Sequence, residues 1–325
     1  PVATLDRDQA ARQEGVRATL TGLDPARVGV RVGGLEALVL ERSPDGLVFA
    51  VPEAAPAGLQ PVEFRAAGAF AEARLRVFGD AVRPEEVTVL LRRTLEPADL
   101  ERRLKQLDPA FGLERVRSLN PAGAALASEH VCAGSLAEIR VDGLPLGLAI
   151  ERLERLEAED PGLVGHIDPA SDYGVKPHGP EHPGQFDHLG GVGARAAHER
   201  GLSGAGARIA VLDTRVSPHP ELGERLRPGY NAREDTTDTS DGYALDSSGH
   251  GTPVAVLAAG RSLGVAPEAE VLPLEVCDDA GLCRSSDVIL GTCFALVAAE
   301  REGRSSRLVL NYSLGGDTEV GALKA

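Results

Sequence analysis

The 325-residue chain has no methionine and no tryptophan, and aromatic residues make up only 3% of it. Any core must therefore be built from Ala, Val and Leu, and a hydrophobic content of 42% over a length that suits two or three domains is enough to build one. No apolar run approaches the roughly 20 residues that a membrane span requires. Positive charge is also short. Against 49 acidic residues stand 34 basic ones, for a formal net charge of −15. That balance speaks for a soluble, diffusing protein and against nucleic acid or an anionic membrane as partner. No signal peptide is present in the numbered residues. Because the sequence starts at Pro1 without a methionine, a lost or omitted N-terminal piece is expected.

Cysteine is scarce too: Cys132, Cys277, Cys283 and Cys293. Cys277 and Cys283 bracket the turn-like Asp278-Asp279-Ala280-Gly281-Leu282 and suit a short disulfide loop, as an exported protein allows, with free thiols as the alternative. The pairing of the four stays open. Zinc is disfavoured, because no histidine follows His250 and the cysteine pairs are too widely spaced.

Residues 1–80 read as a β-sandwich. Short runs such as Val28–Val32, Leu47–Val51, Val62–Phe64 and Leu75–Phe78 are separated by Asp24-Pro25, Gly33-Gly34 and Pro44-Asp45-Gly46. The stretch from Leu47 to Leu59 resembles immunoglobulin-like TIG modules, which implies a spacer or adhesion role. After a boundary at Gly79–Pro84 the pattern over 84–169 changes to strand, helix, strand, helix, strand. Val87, Val89 and Leu91 alternate, and Pro97 opens a helix with Leu100, Leu104 and Leu107 on one face. Ala137, Ile139 and Val141 alternate again, Ile150, Leu153 and Leu156 mark a second helix, and Val164–Ile167 forms a short last strand. This is the α+β, ferredoxin-like split βαβ arrangement. Residues 170–190, rich in Pro and Gly and holding His178, His182 and His188, read as an exposed linker open to proteolysis, its histidines solvated. From 191 to 325, a short helix (Val192–Arg200) precedes alternating apolar strands and helices, the pattern of an α/β domain on a parallel sheet.

Two segments in that last region carry chemistry. Ile209-Ala210-Val211-Leu212-Asp213-Thr214 is a buried-strand pattern ending on a carboxylate. Thirty-seven residues on, Gly249-His250-Gly251-Thr252-Pro253-Val254-Ala255 sets a histidine between glycines at the head of a helix expected to be buried (Val254, Val256, Leu257, Ala258, Ala259). A carboxylate that orients a histidine base is the pattern of a serine hydrolase. With Gly264-Val265-Ala266-Pro267 followed by Val271-Leu272-Pro273-Leu274, and with Asn311-Tyr312-Ser313-Leu314-Gly315-Gly316, the chain resembles subtilisin-like serine proteases from about residue 190 onward. The resemblance implies Asp213 as orienter and His250 as general base. It implies Ser313, Leu314 and Gly315 as the backbone edge that pairs with an extended peptide substrate. By position and pattern, the split βαβ domain is similar to the family's propeptide, which chaperones folding and inhibits until cleaved.

The chain also departs from the family. The family's nucleophilic serine, in a Gly-Thr-Ser-Met-Ala-type motif, and its oxyanion-hole asparagine lie beyond the specificity strand, and neither occurs in these residues. The α/β domain is thus expected to be incomplete, with an unpaired sheet edge near Asn311. The isolated chain is expected to lack peptidase activity unless a downstream or partner chain completes it. Gly291-Thr292-Cys293-Phe294-Ala295 is no substitute, because it falls on a helix where the family has no catalytic residue. Arg215 stands where the family usually has glycine, which sets a cation beside Asp213 and is expected to distort the turn. Gly260-Arg261-Ser262-Leu263-Gly264 fits a nucleophile elbow, but that fold needs a later histidine. Gly204-Ala205-Gly206 precedes its strand, unlike a dinucleotide fingerprint. The acidic loop Glu234–Asp241, with Asp246, offers oxygen ligands suited to Ca2+ but matches no ligand spacing, so it reads as a solvated charge run with calcium as the alternative. The overall reading is an exported (secreted, periplasmic or cell-surface) subtilisin-like endopeptidase precursor acting on proteins or peptides. The alternative is a non-enzymatic pseudoprotease or propeptide-type inhibitor.

Overall fold

The computed structural model describes residues 1–6, 9–10, 12–56, 58–66, 68–78, 82–120, 126–127, 130–175, 187–237 and 249–316. The chain opens with β1 (Val2–Leu5), β2 (Gln9–Ala10), β3 (Gly15–Thr21), β4 (Gly29–Val32), β5 (Leu35–Ala37), β6 (Val39–Ser43), β7 (Gly46–Ala50), β8 (Gly58–Ala66) and β9 (Ala69–Val77). These pair as β1-β3-β7-β6 and β2-β9-β8-β4-β5. Strand alternation supplies the core. Val16, Ala18 and Leu20 are buried while Arg17 and Thr19 between them are exposed. Between the two sheets, Phe49 and Phe64 meet edge to face at 6.0 Å within a single apolar cluster. Gly46 marks a close approach of strands: a Cβ there would lie 2.0 Å from the Ala18 carbonyl oxygen.

The second body runs β10 (Val82–Leu91), α1 (Pro97–Leu107), β11 (Phe111–Ser118), β12 (Ser135–Val141), α2 (Leu146–Leu153), α3 (Arg155–Glu159) and β13 (Val164–Gly174). Its strands lie antiparallel in the order β11-β12-β10-β13. Pro97 sits in the first turn of α1, where its missing N–H costs nothing. Leu100 and Leu104 of α1 and Leu146, Ala149, Ile150 and Leu153 of α2 cover one sheet face.

The last strand corrects the expected boundary. It does not stop at Ile167 but continues through Gly174, so residues 170–174 of the expected linker are strand, with Ala170, Ser171 and Tyr173 buried. Pro169 and Gly174 look like loop punctuation. The pairing that overrides them comes from β17 (Leu282–Arg284), more than a hundred residues away, which adds a fifth strand to the sheet. The expected helix Val192–Arg200 is shorter, α5 (Ala194–Glu199), and is preceded by a separate turn of helix, α4 (His188–Gly191), with Gly193 at a φ of 74° between them.

The third body adds β14 (Arg208–Asp213), β15 (Tyr230–Asn231), α6 (Gly251–Ala259), β16 (Glu270–Glu275), α7 (Ser285–Arg301) and β18 (Leu308–Tyr312). The parallel order is β15-β16-β14-β18. β14 is buried on both faces, which explains its unbroken apolar run. Ile209 and Val211 face α6 in one cluster, while Ala210 and Leu212 face α7 in another. In α6, Ala255, Val256 and Ala259 are buried, but Leu257 is 50% exposed, contrary to expectation, because the helix turns only one face to the sheet. β18 forms the sheet edge, and its Val309 is exposed. No helix among the described residues is long and apolar enough to cross a membrane.

Candidate active site

The site stands at the C-terminal end of β14. Its last residue, Asp213, is fully buried, and its Oδ1 lies 2.7 Å from Nδ1 of His250, the residue that caps the start of α6. The same Oδ1 accepts the Thr214 backbone N–H at 2.7 Å. Thr214 also joins strand to helix, since its Oγ1 accepts the Gly251 N–H at 2.9 Å. Glycine at 251 has a steric cause: a Cβ there would come within 2.8 Å of the Arg215 carbonyl oxygen and 2.9 Å of that of Thr214. The helix could not seat so close to the turn with any side chain at that position. A carboxylate held on Nδ1 of an imidazole fixes its tautomer and leaves Nε2 for proton transfer.

Burial is the largest influence on Asp213 and raises its carboxyl pKa, against the opposing effects of the His250 and Thr214 hydrogen bonds. Its Oδ2 is buried with no hydrogen-bond partner among the described residues. Because the folded pKa is raised, the folded state holds the proton more tightly than the unfolded chain. The stability contribution is therefore complete below the ordinary carboxyl value of 3.8 and is lost as pH rises through the raised one. Asp213→Asn, which keeps an acceptor at Oδ1, is expected to unfold at a temperature no lower than the parent's at pH 7. That margin should vanish as the pH falls towards 4, and thermal melts of both proteins across this range check it. A variant markedly less stable than the parent at pH 7 would contradict the sign.

Arg215 does not distort the turn. Its guanidinium turns to Glu275, at 3.2 and 3.4 Å, and its backbone is not among the non-glycine residues with positive φ. The position needs no glycine here, and the cation is neutralised at the end of β16, with Arg233 3.6 Å away on the same carboxylate.

Ser313, Leu314 and Gly315 leave the sheet level with Asp213, since Leu212 pairs with Tyr312 one residue earlier. That edge is occupied. The Gly174 N–H donates to the Gly315 carbonyl at 2.9 Å, and the Gly315 N–H donates to the Gly174 carbonyl at 3.0 Å. On its other side the same segment pairs with β17 through Asp172–Arg284, Tyr173–Cys283 and Gly174–Leu282. The end of β13 is thus the middle strand of a three-strand clamp. Tyr173 packs into the α7-side core, so close to Gly316 that a Cβ there would meet its ring at 2.7 Å.

Both disulfides become explicit, Cys277–Cys283 and Cys132–Cys293, so Cys293 holds no free thiol. His188, expected to be solvated, places Nε2 2.7 Å from the Leu263 carbonyl oxygen, while His178 and His182 lie outside the described residues. In the acidic loop, Asp235 accepts a hydrogen bond from the Tyr230 hydroxyl at 2.7 Å. Residues 238–241 and Asp246 lie outside the described residues, among which no metal-ligand cluster occurs. Sequence reading missed the roles of Thr214, Glu275 and the Tyr173-Gly174 strand end. Only Thr214, directly after the carboxylate, carried a local signal.

The C-terminal part of the chain is similar to known proteins. The profile of the subtilase family (Peptidase_S8) matches residues 204–324. A subtilisin-like protease of Coccidioides posadasii (strain C735) is 38% identical over 126 residues, which cover 38% of this chain and 30% of that protein. Subtilisin Savinase of Lederbergia lenta is 36% identical over 138 residues, 41% of this chain and 46% of that protein. The solved structure of the MycP3 protease from the type VII (ESX-3) secretion system is 26% identical, covering 40% of this chain and 37% of that one at a TM-score of 0.30. The chain therefore spans less than half the length of each of these proteins. Over residues 204–324 the chain matches the subtilase family and resembles subtilisin-like serine proteases.

Proposed function

We propose that this chain is part of an exported subtilisin-like serine endopeptidase precursor, in which Asp213 and His250 serve as orienter and base for a serine hydroxyl and the βαββαβ body covers the substrate edge. The observation that carries the reading is the two-way hydrogen bonding of Gly174 to Gly315. An extended peptide already lies as a strand on the backbone edge that would hold a substrate, at the strand ends where Asp213 and His250 meet. The strand order of the body, β11-β12-β10-β13, supports its assignment as a ferredoxin-like propeptide domain. The two disulfides support export. Residues 1–80 then serve as a spacer or adhesion module.

In this mechanism His250 takes the proton from the attacking hydroxyl and returns it to the leaving amine, while Asp213 stabilises the imidazolium between those steps. These 325 residues contain no nucleophile motif for His250 to serve, so a fluorophosphonate probe read by intact mass is expected to leave them unlabelled. The protein made from its complete reading frame should be labelled at one serine, in a His250-dependent manner, and faster once the βαββαβ body is removed. A His250-dependent adduct on the 325 residues would mean that the active-site alignment is wrong. No adduct on either form would favour the inhibitor or pseudoprotease alternative.

A further inference from the structure

The Cys132–Cys293 bond crosses the stretch at which a propeptide would be severed. Cys132 lies in the connection between β11 and β12, and Cys293 lies in the middle of α7. They are 161 residues apart in sequence and 5.5 Å apart at Cα. Residues 176–186 fall between them, whereas Cys277–Cys283 closes only six residues, all on the α7 side of that stretch. The β11–β12 connection runs along α7. His130 contacts Glu300 at 3.2 Å, and Cys132 meets α7 two turns earlier.

The contact between the two bodies has opposing qualities. Leu90, Leu119 and Leu136 share a core with Val288, Ile289 and Val297. Beside this patch, however, the bodies enclose a cavity of about 330 Å³ lined by Arg83, Arg115, Glu138, Arg233, Arg284 and Asp287 among others. Arg117 bridges to Asp287 and the Ala232 carbonyl, and Ser286 to Glu138, beside it, but each of these contacts is non-covalent, so a peptide cut alone would leave a complex able to dissociate on dilution.

We propose that the Cys132–Cys293 disulfide makes the βαββαβ body a tethered cover of the Ser313–Gly315 edge, so that cutting 176–186 severs the chain without freeing the body, and that reduction of this one bond permits its release. The tether holds the body at an effective concentration that dilution cannot lower. Release needs a dithiol as reductant. One of its thiolates attacks a bridge sulfur, the S–S bond breaks, and the departing cysteine thiolate takes up a proton. The second thiol then resolves the mixed disulfide. The dithiol ends as a disulfide, and Cys132 and Cys293 each end as thiols. The covering role rests on the peptidase reading above. The tethering does not.

The test replaces residues 179–184 of the full chain with the recognition sequence of a site-specific protease, with and without the pair Cys132→Ser and Cys293→Ser. After cutting, the oxidised parent is expected to run as one species in non-reducing denaturant and to keep its native size on dilution from micromolar to nanomolar. The serine pair, and the parent reduced by dithiothreitol after folding, should give two polypeptides in denaturant and separate on dilution, with retention roughly 10²–10⁴-fold weaker. Two polypeptides from the parent without reductant would overturn the proposal, as would a reduced, cut chain that stays whole at nanomolar concentration. The reductant arm holds even if the serine pair fails to fold. Fluorophosphonate labelling of the complete protein tests the cover separately. It should quicken when the cut protein is reduced, and release without quicker labelling would overturn the covering role and the peptidase reading beneath it.

Discussion

On the peptidase reading proposed above, Asp213→Asn in the protein made from its complete reading frame is expected to lower kcat roughly 10⁴-fold, a value carried over from the triad logic of serine proteases, while leaving the fold at pH 7 at least as stable as the parent. The two effects share one cause. Asp213 is wholly buried, and one of its oxygens has no donor among the described residues, so its charge is a cost to the folded state. Asparagine removes the charge and can still accept from Thr214 through Oδ1. It cannot stabilise an imidazolium, and a flipped amide, which gives up the Thr214 bond to set Nδ2 against Nδ1, would put the proton on Nε2, the base nitrogen of the proposed mechanism. Steady-state rates and thermal melts on the same preparations check the pair of expectations. A variant that loses activity only in proportion to lost stability would reduce Asp213 to a structural role. His250→Ala should be at least as damaging to kcat, and the two substitutions together should cost far less than the product of their separate effects, because the residues act as a unit.

Arg117→Met is expected to destabilise the protein by about 3–5 kcal/mol, the range seen when one partner of a buried ion pair is removed. The Arg117 side chain on β11 is 3% exposed and reaches across to the third body. Its Nη1 donates to Asp287 Oδ1 at 2.8 Å and to the Ala232 carbonyl at 2.6 Å, and Glu138 lies 3.4 Å from its Nη2. Glu138 also accepts from the Ser286 hydroxyl at 2.7 Å. Methionine would fill much of the volume but remove the cation in hydrogen-bond contact with Asp287, leaving Arg115 at 3.6 Å on Glu138 and the field of Arg284 on Asp287. Burial already raises the Asp287 pKa, and Arg117 is the main force opposing it. A raised carboxyl costs stability as pH rises, so the deficit of the variant should be largest near neutrality and shrink towards pH 4. Chemical denaturation at both pH values checks this. Adding Glu138→Gln and Asp287→Asn should recover most of the loss. A single-variant deficit below about 1 kcal/mol would place the network among contacts of no net value.

The sequence revealed most where one residue's neighbours are local or where burial is complete. β14 was legible because both of its faces are covered, so nothing interrupts its apolar run. The Asp213–His250 pair was legible because its steric needs are written nearby: a strand end, and a glycine at 251 where no Cβ fits. Ser313–Gly315 was found as an edge through family resemblance, but its occupant was not. Tyr173 and Gly174 sit in a segment whose composition says loop, and their strand character is imposed by Leu282–Arg284 and Gly315. The partner of Cys132 was unreadable for the same reason, since nothing local distinguishes Cys293 from the other two candidates. Arg117 drew no attention either, because an arginine in an alternating strand is ordinarily solvated. Its burial depends on a helix that begins 168 residues later.

The Cys132–Cys293 bond also determines how the molecule bears tension. A pull applied between its first residues and anything beyond α7 would follow the backbone to Cys132, cross the sulfur bridge and continue from Cys293. The segment between them, a sequence separation of 161 and roughly 500 Å of chain when drawn out, would carry no load. The end of β13, β17 and the Asp213–His250 pair lie within that shielded span, whereas Gly315, the clamp's third member, lies outside it. Such a pull would therefore be resisted first by the strands outside the span, those of the N-terminal body, β10, β11 and β18, while the Asp213–His250 pair stayed assembled.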